Sequence, residues 1–289
     1  MVVLKRLLES VEMNLAGAID APDGECLHDF RVAVRRSRSV QRELKRSFPA
    51  PALKHFRGEF RWLQTVTGPA RDLDVHVLGF DDMRALVSQS RREQLDPLLD
   101  LLTARRLQAR DEMAAELRSQ RAAAVFAGWR SLLMGLEQLP DDDRPQAGRP
   151  IGEVAGKRIR KVYKRMLRMG RPIRRSSPPE AYHELRKQGK ELRYLLELFG
   201  DQLYPTEVVK PMVKALKALQ NVLGGHQDRQ VQVALLLGLQ EEVDGHAREA
   251  LGPLIESLWH DQLTARGQFS KRFEVFASDR QRALVKQTF

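Results

Sequence analysis

Five side chains in the stretch HDFRVAVRRSRSVQR, residues 28–42, set the chemistry this sequence can perform. At helical spacing His28, Arg31, Arg35, Arg38 and Arg42 step by three and four residues, which keeps them on one stripe. Like charges so placed repel by roughly 0.2–0.5 kcal/mol per pair, so the crowding asks for an anion to offset it. Arginine's planar fork fits phosphate oxygens, and forks repeated along a helix fit a string of phosphates. Phe30, Ala33, Val34, Ser37 and Leu44 lie about a third of a turn away and form a face suited to a core.

The pattern occurs twice. In HELRKQGKELRYLLELF, residues 183–199, His183, Arg186, Lys190 and Arg193 stand 155 residues after His28, Arg31, Arg35 and Arg38. LQTVTGPARDLDV (63–75) matches LQNVLGGHQDRQV (219–231) at an offset of 156, and Lys54 and Arg61 pair with Lys210 and Lys217. LKRLL at 4–8 likewise precedes IRKVY at 159–163 by 155 residues. Tandem duplication is the simplest reading. It has departures: Arg42 corresponds to Glu197, Arg57 to Val213, and Lys214 stands opposite Gly58.

The elements that must carry these stripes read as helices. Breakers fall at APDGE, FPAPA, TGP, GRPIRRSSPPE, YPTE and GGHQD, leaving helix-length segments between them. SPPE at 177–180 predicts a helix start with Ser177 as cap, Pro178 in the first turn and Glu180 closing a capping box. Gly68 and Gly224 read as helix C-terminal residues. Alternating β-branched runs are almost absent, so no sheet is expected. The expected fold is all-α, with a first half-repeat over 1–140, a linker over 141–150 in the polar loop LPDDDRPQAGRP, and a second half-repeat over 151–289. Each half should be an antiparallel bundle, with the acid-bearing helices near 92–120 and 241–262 outermost.

Composition narrows the partner. The net charge is +11 in 289 residues, and it is concentrated. Residues 28–61 hold 10 basic and 3 acidic side chains, residues 154–217 hold 17 and 6, and the remainder is net acidic at 22 against 29. Such placement points to an acidic partner and not to general solubility. Cys26 is the only cysteine, so no internal disulfide forms, which favours a reducing compartment. The start MVVLKRLLESVEM is not a signal peptide, and apolar runs such as VALLLGL are too short to span a bilayer. A soluble cytoplasmic protein with no membrane partner is expected.

The twin H-x-x-R-x-x-x-[RK]-x-x-R helices, each followed by a Gly-then-Asp turn, resemble the CHAD family (conserved histidine α-helical domain). The resemblance runs from the first helix to about residue 275. It implies two helical bundles related by a pseudo-twofold axis, with a basic pore or cleft between them. It also implies binding of inorganic polyphosphate without catalysis, often at polyphosphate granules. Carried onto this sequence, the ligand-facing set is His28, Arg31, Arg35, Arg38 and Arg42, with His183, Arg186, Lys190 and Arg193. Lys54, Arg57, Arg61, Lys210, Lys214 and Lys217 join from the following helices. The Glu-x-Glu-x-Lys signature of the tunnel-type triphosphatases fused to some CHAD domains is absent, so the sequence reads as a stand-alone domain.

Each signal also has a plainer reading. A charge stripe is ordinarily a solvated face. The repeat and the shortage of nearby acids argue otherwise here. Lys157, Lys161, Lys164 and Arg168 form a further basic face, either ligand-facing or simple outer surface. His28 and His183 either contact phosphate or orient an arginine. DLD at 72–74 invites a Mg²⁺ reading, but only Asp72 has a twin, Asp228, and capping or arginine pairing suits both better. No metal-ligand spacing and no cofactor motif occurs. HD at 28–29 lacks the companion residues of an HD phosphohydrolase. Trp62, Trp129, Trp259 and most phenylalanines read as core. The leading alternative function is RNA or DNA binding, against which stand the lack of interleaved aromatics, with only Tyr163 and Tyr194 near, and of base-reading Asn and Gln. A polyphosphate or nucleotide phosphohydrolase is the third reading, with no general base or P-loop to support it.

Overall fold

The computed structural model describes residues 2–21 and 24–289. Met1, and Pro22 and Asp23 of the expected breaker APDGE, lie outside the described residues. Among the described residues every regular element is helical and there is no strand. The helices are α1 (Val2–Asp20), α2 (Glu25–Glu43), α3 (Ala50–Val66), α4 (Gly68–Leu78), short α5 (Phe80–Arg84) and α6 (Gln89–Arg92), α7 (Asp96–Leu117), α8 (Gln120–Gly135), α9 (Ile151–Gly170), α10 (Pro179–Leu203), α11 (Thr206–Leu239), α12 (Gly245–Phe276) and α13 (Asp279–Thr288). They form two compact units, Met1–Phe80 with Leu99–Arg149, and Asp81–Leu98 with Pro150–Phe289. The segment Asp81–Leu98 groups with the second unit, where Ser257 Oγ of α12 donates to the Leu86 carbonyl at 3.3 Å.

In the first unit α2 packs on α1 and α3, and α8 packs on both of those. Phe30, Ala33, Val34 and Ser37 of α2 are buried as their spacing predicts. Trp129 of α8 is fully buried against Phe48, Phe56 and Phe60, with ring centroids 6.0, 5.0 and 5.3 Å away. Each such side chain contributes on the order of 1.5–3 kcal/mol by leaving water, enough to hold an arginine-rich helix in place. In the second unit α10 packs on α9 and α11, and α11 packs along α12. Tyr163 is buried there, its ring tilted against Phe276 with centroids 5.0 Å apart and its hydroxyl donating to the Phe276 carbonyl at 2.9 Å.

Several local expectations are corrected. The residue that caps α10 is Pro178, and Ser177 Oγ instead accepts from the Arg174 amide at 2.9 Å, so the turn precedes the helix by one residue. GGHQD does not break the chain: α11 runs unbroken through Gly224, because buried Leu219, Leu223 and His226 hold that stretch helical despite two weak helix formers. Gly68 opens α4 and does not close α3, which ends at Val66 with Thr67 between them. Trp259 is 48% exposed, and Trp62 is half-buried beneath the Arg121 guanidinium at 4.2 Å, so only Trp129 of the three is core.

Candidate functional site

The first stripe is tied down at its head. Gly24, before α2, has φ 76°, and a Cβ there would stand 2.7 Å from Asp74 Oδ2, so glycine is required on both counts. Asp74 is wholly buried and accepts from Arg106 Nε at 2.6 Å and from Arg110 Nη2 at 3.0 Å. Arg110 Nη1 also donates to the Ala21 carbonyl at 2.6 Å, just past the end of α1. Nothing in the motif pointed to this cluster, since Asp74 has no twin.

Within the stripe, Arg31 Nη1 donates to the Gln64 carbonyl at 3.0 Å and to Thr67 Oγ1 at 2.7 Å. Arg38 Nη1 donates to Gln64 Oε1, so both arginines lean on the end of α3. Burial first, then Arg35 and Arg71, pushes the Arg31 guanidinium down to about 10, with Asp72 pulling the other way. Burial also lowers Arg38, followed by the fields of Arg61, Arg42 and Arg57. Four guanidinium groups from α2 and α3 thus share one field. Lys54, Arg57 and Arg61 are exposed and have no carboxylate partner among the described residues, whereas Arg42 pairs with Glu43 at 2.5 Å. Arg35 is half-buried, and its Nε is buried with no hydrogen-bond partner among the described residues.

His28 stands at a cleft of about 630 Å³ that Gly24, Asp29, Arg71 and Leu78 also line. Its imidazole is held below the usual histidine value by burial, then by Arg71 and Arg35, against the opposite pull of Asp29. Arg71 is a cation that the repeat pattern alone does not single out. Its place in the matched block is visible, but its counterpart is Gln227, and a search for repeated charges discards it.

The second stripe is built alike with different partners. His183 Nδ1 lies 2.7 Å from Gln227 Oε1, and Arg186 Nη2 donates to Asp228 Oδ1 at 3.4 Å. The expected arginine pairing of Asp228 is therefore present. Arg193 faces Glu197 at 3.3 Å. Gly189 lies against Gln220, and Gly200 against Val209, which with the Arg186–Asp228 pair fixes an antiparallel register of α10 on α11. That register brings Lys217 and Lys214 alongside Arg193 and the turn after it. Lys210, Lys214 and Lys217 are exposed, on the α11 stripe that also carries Asp228.

Lys157, Lys161, Lys164 and Arg168 are exposed on α9. α9 meets α10 through Arg158, which donates to Glu191 at 2.7 Å, and Arg165, which donates to Gln188 at 3.1 Å. By helical spacing Gln188 and Glu191 lie on roughly the opposite side of α10 from Arg186, Lys190 and Arg193. Among the described residues, no group of three His, Cys, Asp or Glu side chains is placed to share a metal ion.

The sequence matches the CHAD domain over residues 2–237. This chain belongs to the CHAD family. The domain is similar to two uncharacterized proteins of Mycobacterium tuberculosis, MT2285 of strain CDC 1551 / Oshkosh and Rv2226 of strain ATCC 25618 / H37Rv, each 26% identical over 239 residues. The match covers 78% of the chain, which spans 43% of the length of those relatives. In three dimensions this CHAD domain resembles the crystal structure of the CHAD domain from the plant Ricinus communis, with a TM-score of 0.79 at 24% identity, covering 96% of this chain and 89% of that one. PptA from Streptomyces chartreusis matches with a TM-score of 0.61 at 16% identity, covering 94% and 99%. At those identities the likeness establishes the fold alone. No described helix of the domain is long and apolar enough to cross a membrane.

Proposed function

We propose that this CHAD domain binds inorganic polyphosphate along its two basic stripes and does not turn it over. The observation that carries the reading is the crowding of like charge where α2 meets α3: Arg31 and Arg38 both donate to Gln64, while Lys54, Arg57 and Arg61 of α3 are exposed without a carboxylate partner among the described residues. A linear polyanion offsets that repulsion at several points at once and releases its counterions in doing so. His28 and Arg71 would extend the first stripe, and His183 would orient the head of the second through Gln227. Long chains would engage both stripes together, and the protein would collect at polyphosphate granules.

Nucleic acid is the rival, and the aromatic side chains disfavour it. Tyr163 is buried with its hydroxyl committed, and Tyr194 is buried with the Arg193 guanidinium 5.6 Å from its ring. Neither offers an open face on which a base could stack. Competition of labelled polyphosphate against RNA, DNA and heparin at fixed ionic strength tests the assignment. Polyphosphate should win, its affinity should fall log-linearly with salt, and Arg35→Glu combined with Lys190→Glu should abolish it with helix content intact. RNA displacing polyphosphate stoichiometrically would reverse the assignment. Orthophosphate release above a denatured control, with Mg²⁺ present, would replace binding with hydrolysis.

A further inference from the structure

The second unit carries a groove that neither stripe explains. It lies between α11 and α12, encloses about 410 Å³, and has Arg229 near one end and Arg272 near the other. Along α12 the lining runs from Asp261 to Arg272, eleven helical steps, or about 16 Å at 1.5 Å per step. Its apolar lining is Ala218, the buried Val222 and Gly225 on α11, with Ala265 on α12. Between the arginines the rim presents Asn221, Gln268 and Thr264, all exposed. The two amides offer N–H donors.

The charges are arranged for an incoming anion. Asp261 is the one acid in the lining, and Arg229 answers it at 3.4 Å while donating to Gln232 at 2.9 Å. Arg272 is exposed and has no carboxylate partner among the described residues. Asn221 follows Lys214 and Lys217 on one α11 stripe, so the groove opens beside cations already assigned to the ligand.

The first half of the sequence carries bulkier residues at the matched positions. The residues 156 positions before Ala218, Gly225 and Arg229 are Trp62, Pro69 and Leu73. Trp62 is capped by Arg121 at 4.2 Å, and Glu59 accepts from Arg121 Nε at 2.9 Å.

We propose that the α11–α12 groove is an additional anion subsite, which takes a linear oligophosphate lying along the helix pair between Arg229 and Arg272. The proposal rests on the polyphosphate reading and adds a second track, specific to one unit. Heteronuclear NMR of the full chain, titrated with tripolyphosphate, tests it. Amides of Gly225, Thr264 and Gln268 should shift along with those near Arg186 and Lys190. Arg272→Glu should weaken the groove response by about tenfold while leaving the stripe response unchanged. Gln268→Glu, a second exposed change, should act in the same direction. Stripes that respond while the groove stays silent would overturn this subsite and leave the main assignment standing. Silence at both places would overturn the polyphosphate reading itself, and the subsite with it.

Discussion

Arg186 occupies the space that a side chain at residue 224 would take: a Cβ on Gly224 would stand 2.5 Å from Arg186 Nη1. In the first unit the contact is looser, with a Cβ on Gly68 3.9 Å from Arg31 Nη1. Gly224 lies inside a long helix, where glycine costs about 1 kcal/mol relative to alanine. The cost makes sense if the guanidinium position matters more than helix stability.

Gly224→Ala should separate those two roles. The obstructing atom is the tip of a flexible side chain, so Arg186 swings aside and the fold survives, with thermal stability equal to or slightly above wild type. Polyphosphate affinity should nonetheless fall several-fold, because Arg186 loses its place beside Asp228. Unchanged affinity in a titration would mean that Arg186 needs no fixed position.

Asp74→Ala should act through the fold. The Asp74 carboxylate is fully buried and serves Arg106 and Arg110, whose side chains are only 15% and 11% exposed. Breaking a buried ion pair by removing one partner costs roughly 3–5 kcal/mol. Urea unfolding should report a loss in that range. A loss under about 1 kcal/mol would show that the cluster does not anchor α2.

The stripes are legible in the sequence because cations repeated at helical spacing, twice and at one offset, mark a shared helix face. Phe30, Ala33 and Val34 mark its buried side without ambiguity. Gly224 misleads for a physical reason. Two adjacent glycines raise the prior for a break, and only the packing of Leu223 and His226 keeps the helix whole. Asp74 and Arg71 are invisible for a different reason: their partners, Arg106, Arg110 and His28, are brought to them only by the fold.

Stability should fall on acidification through His226. Its ring is 1% exposed, stacks on Tyr182 at 4.8 Å, and accepts from Arg266 Nε at 2.9 Å. Burial and then Arg266 push its imidazole down to about 4. The unfolded chain takes up that proton below about pH 6.5, while the folded chain resists until about pH 4. The contribution is therefore complete above 6.5, declines across that window and levels off below it, by about 3 kcal/mol at most. Unfolding midpoints of wild type minus His226→Gln, measured from pH 7 to 4, should display this slope. A flat difference would place the ring in contact with water.

Chain length is the sharpest test of two stripes acting on one ligand. Once a long polymer is held at the first stripe, its contact with the second is intramolecular, at an effective concentration set by the intervening polymer. A short oligophosphate reaches only one stripe, a span of a few helical turns of about 5.4 Å each. Affinity per molecule should climb steeply with length and then level off. Replacing Arg31, Arg35 and Arg38 by glutamine should flatten that climb, and long chains should lose proportionally more than short ones. The same change at Arg186, Lys190 and Arg193 should act similarly, though less strongly, because Asp228 and Glu197 already temper that stripe. Isothermal titration with size-fractionated polyphosphate reads both slopes. An equal factor lost at every length would mean that the stripes bind separately, and joint engagement would have to be abandoned.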